Sequence, residues 1–331
     1  MKRVLITGGS GFVGANLVRR LLRDGHEVHL ILRAGHKTWR LDEIAGEFEE
    51  HSADLEDAEA IRCCVSKVRP DWVFHLAAYG AYPRQTGIER MIATNLQGSI
   101  GLLDACVDVG VEAFVHAGSS SEYGYKDHAA REDEVIQPNS HYAITKAAAT
   151  HYCQYTAAQR GVKAVTVRLY SIYGPYEDPS RLIPALVIYG LRRVLPPLAA
   201  PNIARDFVFI DDAVEAMLRV AVAGRPGATY NLCTGVQSTL ADVVDAARLL
   251  MKVPAEPEWA SMPARAWDTD SWLGSPGLTE RELGWRARID LRGGLQYTID
   301  WMLSDPARRA FYEERILGAE SNDHKQSAQT G

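Results

Sequence analysis

Short apolar runs alternate with amphipathic stretches through the first half of the chain. This alternation predicts a parallel sheet covered on both faces by helices, a doubly wound α/β domain. Arg3–Thr7 reads as a first strand, Gly14–Asp24 as an amphipathic helix stopped by Gly25, and Glu27–Leu32 as a second strand. Asp71–Ala77 reads as a buried later strand. Asn95–Val109 reads as a helix, Ala113–Ala117 as extended chain, Ala143–Arg160 as a long helix ended by Gly161, and Lys163–Leu169 as another strand. From about Tyr170 the rhythm breaks. Prolines at 175, 179, 184, 196, 197 and 201 predict short elements, Pro254–Pro276 reads as irregular substrate-facing structure, and Gly293–Leu303 as a last helix. There is no internal repeat. The chain is accordingly expected to divide into a larger α/β domain over 1–169, with 206–235 returning to it, and a smaller mixed α/β lobe over 170–205 and 236–317. Residues 318–331 are polar and free of aromatics, the composition of a disordered tail.

Composition narrows this little. The chain has 331 residues, more than a single core usually holds, which fits a large domain with an appended lobe. A net charge of −6 offers no basic footprint for nucleic acid, though local arginines could still oppose an anionic substrate. Five cysteines, without metal-ligand spacing, suggest reduced thiols and no metal site. The start MKRVLITGG runs straight into a strand and no apolar run could span a bilayer, so a cytoplasmic protein with no membrane partner is expected.

Candidate chemistry begins at the first turn. Gly8, Gly11 and Gly14 lie between the first strand and first helix, where glycine permits a tight turn and lets a pyrophosphate approach backbone N–H groups; the alternative is a ligand-free glycine turn. The second strand would ordinarily end in an acid that grips the ribose diol of NAD. Here it ends Ile31-Leu32-Arg33, with Lys37 and Arg40 following, and a guanidinium suits a 2′-phosphate. NADP(H) is therefore the favoured cofactor, with NAD(H) the alternative and an Arg33 stacked on adenine or facing solvent the plainer reading. Asp54 and Leu55 follow the third strand, where they would touch adenine or be solvated. Tyr142 and Lys146 share one helix face at YxxxK spacing, so the ammonium should draw the phenol below its usual value of about 10. A hydroxyl from the segment Gly118–Gly124 could hold a carbonyl oxygen and share the tyrosine's proton.

TGGSGFVG, GSSSEYG, YAITK and RLYSIYGP occur in that order. Together they resemble the extended short-chain dehydrogenases, the NAD(P)-dependent nucleotide-sugar epimerases, dehydratases and 4-ketoreductases, over about residues 1–303. The resemblance implies that the first domain is Rossmann-like and binds NAD(P), that the smaller lobe binds the sugar nucleotide, and that Ser119, Tyr142 and Lys146 form a catalytic triad, with Lys146 also holding the nicotinamide ribose. It implies dinucleotide contacts from Gly8, Ser10, Gly11, Phe12, Val13, Gly14, Arg33, Asp54, Leu55, Ala77 and Ala78. It implies a nucleotide-diphosphate sugar as substrate, near Tyr79, Ser120, Ser121, Ser171, Arg181 and Arg205. For Arg205 an ion pair with Asp211 or Asp212 is the competing reading. Family dehydratases usually carry acids where this chain has Ser120 and Ser121, and Glu122 falls one step late, so water elimination is disfavoured. The serine segment is most similar to that of reductases acting on GDP-4-keto-6-deoxymannose, and a net reductase draws on NADPH. Ser171 stands where the family often has Asn, which weakens a phosphate contact there. The expected activity is thus 4-ketoreduction of a 4-keto-6-deoxyhexose nucleotide, with 4-epimerisation on a tightly held NAD as the alternative. Retention of the Tyr/Lys pair speaks against a non-catalytic dinucleotide sensor.

Other conspicuous residues have plainer readings. His75 and His116 should be packed, hydrogen-bonded core histidines, and His141 a modulator or a surface residue. Trp259, Trp267 and Trp272 could wall a pocket or pack the lobe, and Tyr79, Tyr82 and Arg84 could face the substrate. The helices Asn95–Val109 and Ala143–Arg160 could form a homodimer's four-helix bundle, as in relatives, or pack within one subunit.

Overall fold

A computed structural model describes residues 1–82, 85–262 and 268–327, with side chains to residue 318. Arg84, Trp267 and residues 328–331 therefore lie outside the described residues. Seven parallel strands form the main sheet in the order β3-β2-β1-β4-β5-β6-β9. They are β1 (Arg3–Thr7), β2 (Glu27–Leu32), β3 (Glu49–Ser52), β4 (Trp72–His75), β5 (Ala113–Ser119), β6 (Ala164–Leu169) and β9 (Thr229–Leu232). A smaller sheet runs β10-β8-β7, from β7 (Ser171–Tyr173), β8 (Ala204–Phe209) and β10 (Gln237–Thr239). Both faces of the central strands are buried, which is why they read as continuous apolar runs rather than as alternating ones.

The helices are α1 (Phe12–Arg23), α2 (Ala58–Val68), α3 (Ile88–Met91), α4 (Gly98–Asp108), α5 (His141–Arg160), α6 (Leu182–Leu191), α7 (Ile210–Ala223), α8 (Leu240–Met251), α9 (Gly277–Leu283), α10 (Leu291–Leu303) and α11 (Pro306–Ser327). One apolar core joins α1 and α7 to the sheet through Leu17, Val18, Leu21, Val214 and Met217, and continues into the smaller lobe. A second core packs α2, α4 and α5 on the opposite face through Ile61, Val65, Leu102 and Cys153. Strand order reverses between β1 and β4, so the loops leaving their carboxyl ends diverge and open a crevice.

The carboxy-terminal half departs from expectation in two ways. α6, α7 and α8 are full-length helices rather than short elements, since Pro184 falls in the first turn of α6, where a missing N–H costs nothing. α11 continues through Gly318 to Ser327, so helix replaces the disordered tail expected from residue 318. Its earlier turns are anchored by Phe311, Tyr312 and Ile316 against α6 and Trp39.

Candidate active site

The carboxyl ends of β1, β2, β4, β5 and β6 frame a cleft of about 1990 Å³. A typical small-ligand pocket is several hundred Å³, so this volume accommodates two large ligands side by side. The triad, dinucleotide and nucleotide-sugar residues that the family resemblance implied all line it.

In the first turn, Gly8 has φ +74°, and a Cβ there would sit 2.6 Å from the backbone N of Ala77. A Cβ on Gly14 would lie 2.2 Å from the Gly8 carbonyl oxygen. These two glycines serve close packing of loop, strand and helix. Gly11, whose Cβ would meet only one atom, at 3.1 Å, is the one that leaves room for a ligand. α1 begins with no side-chain cap, so its first N–H groups are available to an anion. That uncapped start and the open Gly11 fit a dinucleotide pyrophosphate.

At the end of β2, Arg33 and Lys37 are exposed on the cleft rim. Arg40, the third cation of this run, is turned inward. Its Nε donates to the Tyr176 carbonyl (2.7 Å) and its Nη1 to that of Ser10 (3.4 Å), with Asp178 3.8 Å away. Asp54 accepts the Glu56 N–H (3.1 Å) and Leu55 is buried beside it.

The serine segment is a tight 3₁₀ turn closing β5. Ser119 caps it, accepting from the Ser121 N–H (3.2 Å) and sharing a 2.7 Å hydroxyl–hydroxyl bond with Ser121. Glu122 returns the cap, accepting the Ser119 N–H at 2.8 Å. Its other oxygen accepts from Thr150 and from Arg168 Nε, both at 3.0 Å, in a fully buried ion pair. That commitment holds Glu122 away from the cleft. Ser120 is buried, and its hydroxyl accepts the indole N–H of Trp272 (3.1 Å).

α5 starts at the Ser140 cap, which accepts the Ala143 N–H (3.2 Å), and carries Tyr142 and Lys146 into the cleft one turn apart. The Ser119 hydroxyl acts on the Tyr142 phenol, drawing its pKa down. The net shift is nonetheless upward: the phenol is not lowered, as the pair's spacing had suggested, but pushed up to about 12. Burial is the largest cause and the Glu122 charge adds to it, against smaller opposing effects from Ser119 and Arg181. Burial likewise pushes the Lys146 ammonium down to about 8. Desolvation outweighs charge effects here: Lys146 is buried and Tyr142 half-buried in the cleft wall.

Tyr79 is held by a residue that sequence reasoning overlooked. Asn95, fully buried in the π-helical turn Ile92–Gln97, accepts the Tyr79 N–H and donates to its carbonyl, both at 2.7 Å, and donates to Thr145 of α5 at 3.0 Å. Nothing in the sequence singled it out, because Thr94 and Gln97 of the same turn are polar too. The Arg90 guanidinium lies 4.8 Å from the Tyr79 ring, and Arg181 lies 4.9 Å from that of Tyr82. Arg181 also donates to the Ala81 carbonyl (3.2 Å). Ser171 lines the cleft from β7. Arg205 pairs with Asp268 at 3.7 Å rather than with Asp211 or Asp212, because Asp212 faces the other way and accepts the N–H groups of Arg288 and Ile289. His75 bonds Thr7 (2.6 Å) and Ser99 (2.8 Å) as a core histidine should. Both nitrogens of His116 are buried without a hydrogen-bond partner, so only its packing agrees with expectation. His141 is exposed and Trp259 packs on the core. No group of His, Cys, Asp or Glu among the described residues could hold a metal.

The family model for the NAD dependent epimerase/dehydratase family matches residues 4–233. A probable dTDP-glucose 4,6-dehydratase of Sinorhizobium fredii is 29% identical, covering 96% of this chain and 98% of that protein. UDP-glucose 4-epimerase of Thermotoga maritima, solved with UDP-glucose, superposes with a TM-score of 0.82 at 26% identity, over 91% of this chain and 98% of its own. UDP-glucose 4-epimerase of Thermus thermophilus, solved with NAD, gives a TM-score of 0.79 at 28% identity, over 91% and 99%. With its glycine turn, serine segment and Tyr/Lys pair gathered on one cleft, the chain belongs to the NAD dependent epimerase/dehydratase family and is an enzyme.

Proposed function

We propose that the enzyme reduces the 4-keto group of a nucleotide-diphosphate 6-deoxyhexose, using NADPH. The observation that carries this reading is the distribution of charge around the cleft. β2 ends in Arg33, with Lys37 nearby and no acid to grip a ribose diol, while the one acid of the serine segment, Glu122, is locked to Arg168. The first favours a 2′-phosphate, and the second removes the acid that water elimination would need.

When bound, the reduced nicotinamide supplies the hydride that turns the C4 carbonyl into an alkoxide. Tyr142 protonates that oxygen, giving a C4 alcohol. A phenol kept protonated to about pH 12 is suited to giving a proton, which favours the reductive direction. Ser119 orients the same oxygen and shares its hydrogen bond with Ser121. Lys146 would hold the cofactor ribose, the first turn of α1 with Gly8, Ser10, Gly11, Phe12, Val13 and Gly14 its pyrophosphate, and Asp54, Leu55, Ala77 and Ala78 the remainder. Tyr79, Ser171, Arg181 and Arg205 would face the nucleotide sugar, with Arg205 a candidate for its phosphates. In this reading the large sheet is the cofactor domain and the β7-β8-β10 sheet with its helices the substrate lobe. A cytoplasmic setting suits its nucleotide substrates.

4-Epimerisation is the second reading, favoured by the Thermotoga and Thermus relatives. Denaturing the purified protein and quantifying released nucleotide separates the two. The reductase should release little NAD, whereas one NAD per chain would replace the first reading with the second.

A further inference from the structure

We propose that Arg40 is a positioning residue that fastens the loop between β7 and α6 to the cofactor turn, so that the dinucleotide and the nucleotide sugar each strengthen the other's binding. The proposal deepens the nucleotide-sugar reading and rests on it. Of the three cations after β2, only Arg33 and Lys37 stay exposed on the rim. Arg40 is 5% exposed, and an always-charged guanidinium tolerates such burial only with acceptors around it. Those acceptors come from two distant stretches of chain. Nη1 reaches the Ser10 carbonyl in the turn after β1. Nε donates to the Tyr176 carbonyl, and Nη2 lies 3.8 Å from Asp178, both in the loop before α6. A planar fork of donors is what lets one side chain hold two backbones.

Further ties bind the same loop to the first helix. Asn16 of α1 donates to the Pro175 carbonyl (3.0 Å), the Arg19 guanidinium lies 3.9 Å from the Tyr176 ring centroid, and the Tyr176 hydroxyl donates to Glu43. From α11 the Tyr312 hydroxyl donates to the Glu177 carbonyl (2.7 Å). Together they keep Tyr176 at φ +69°, a left-handed backbone that a tyrosine rarely adopts unsupported. What the loop carries gives this grip a purpose. It ends at Arg181, a proposed contact of the nucleotide sugar, which is itself laid against the Ala81 carbonyl and the Tyr82 ring. Arg40 thus spans from the turn that would cradle the pyrophosphate to the loop that would present Arg181. Its seam is also unfinished, since Arg40 Nη2 and Glu177 Oε2 are both buried in the cleft wall without a hydrogen-bond partner. A strut built only for stability would satisfy them. A dinucleotide that settles the Ser10 turn fixes Arg40, Arg40 fixes the loop, and the loop fixes Arg181.

Calorimetric titration of the native protein and of Arg40→Met reads this coupling directly. The probes are NADP⁺ and the tightest-binding of UDP, dTDP, CDP and GDP, each titrated alone and then with the other saturating. In the native protein each should tighten the other about tenfold, by one factor in both directions, as linkage requires. Arg40→Met, which keeps the stem but none of the donors, should bring that factor below about twofold while each ligand alone binds within about threefold of native. Arg40→Lys, a cation without the fork, should also lose most of the coupling. Weakened single affinities with the coupling intact would mark a merely structural residue and overturn the proposal. If Arg40→Met melts early, Asn16→Ala, which removes the Pro175 tie from a half-buried site, should lower the factor at least about twofold. Native coupling in these variants, or none in the native protein, would overturn the proposal and leave the nucleotide-sugar reading standing. Native protein that binds no nucleotide diphosphate would overturn that reading, and the coupling with it.

Discussion

At the scale of single residues, burial decides how the reacting groups are charged. Tyr142 keeps its proton to about pH 12 because the phenolate would be poorly solvated, an effect that Ser119 only partly offsets. Tyr142→Phe should lower turnover about a hundredfold or more while leaving dinucleotide affinity intact, as steady-state kinetics beside a binding titration would record. Turnover close to native would remove the role. Lys146, held down to about 8 by burial, is an ammonium only below that pH. Dinucleotide affinity should therefore fall as pH rises through about 8. Glu177, buried in the same cleft and pushed up to about 8, gains negative charge over the same window and adds to the slope. In Lys146→Met the slope should shrink to the Glu177 share, and a full slope in that variant would refute the assignment. The Tyr/Lys pair was legible because four residues of one helix fix its geometry. Its pKa values were not legible, since they depend on what covers the pair. The Asn95 clamp on Tyr79 and the Glu122–Arg168 pair were hidden for the same reason, their partners being 16 and 46 residues apart.

At the scale of elements, the proposed function divides cofactor recognition between the turn after β1 and the end of β2. The uncapped α1 start would serve any dinucleotide, whereas Arg33 would bear on which one is preferred. Arg33→Asp should move the preference from NADPH towards NADH by at least tenfold in kcat/KM, because an acid can accept from a ribose diol and repels a 2′-phosphate. An unaltered ratio would mean that Arg33 faces solvent. The strand–helix alternation of the first half was readable because buried parallel strands and amphipathic helices leave different periods in the sequence. The helices α6 to α8 were not, because prolines were read as breaks although Pro184 sits in a first turn and Pro196, Pro197 and Pro201 lie in the connection before β8. α11 escaped notice because its polar composition concealed an apolar stripe, Phe311, Tyr312 and Ile316, that docks on α6.

At the scale of the whole molecule, α5 leaves Tyr155 62% exposed, and a homodimer through a four-helix bundle of α4 and α5, as we propose, would cover it. Tyr155→Asp should convert a dimer to monomer in sedimentation without lowering the melting temperature of the monomer. A native protein already monomeric at micromolar concentration would contradict this. No helix among the described residues is long and apolar enough to cross a membrane. The central claim, a cleft that passes a hydride and a proton to a C4 carbonyl, is tested most directly by following NADPH absorbance on adding a nucleotide-linked 4-keto-6-deoxyhexose. The account predicts one NADPH oxidised per C4 alcohol formed. Interconversion of C4 epimers with no NADPH consumed would contradict it.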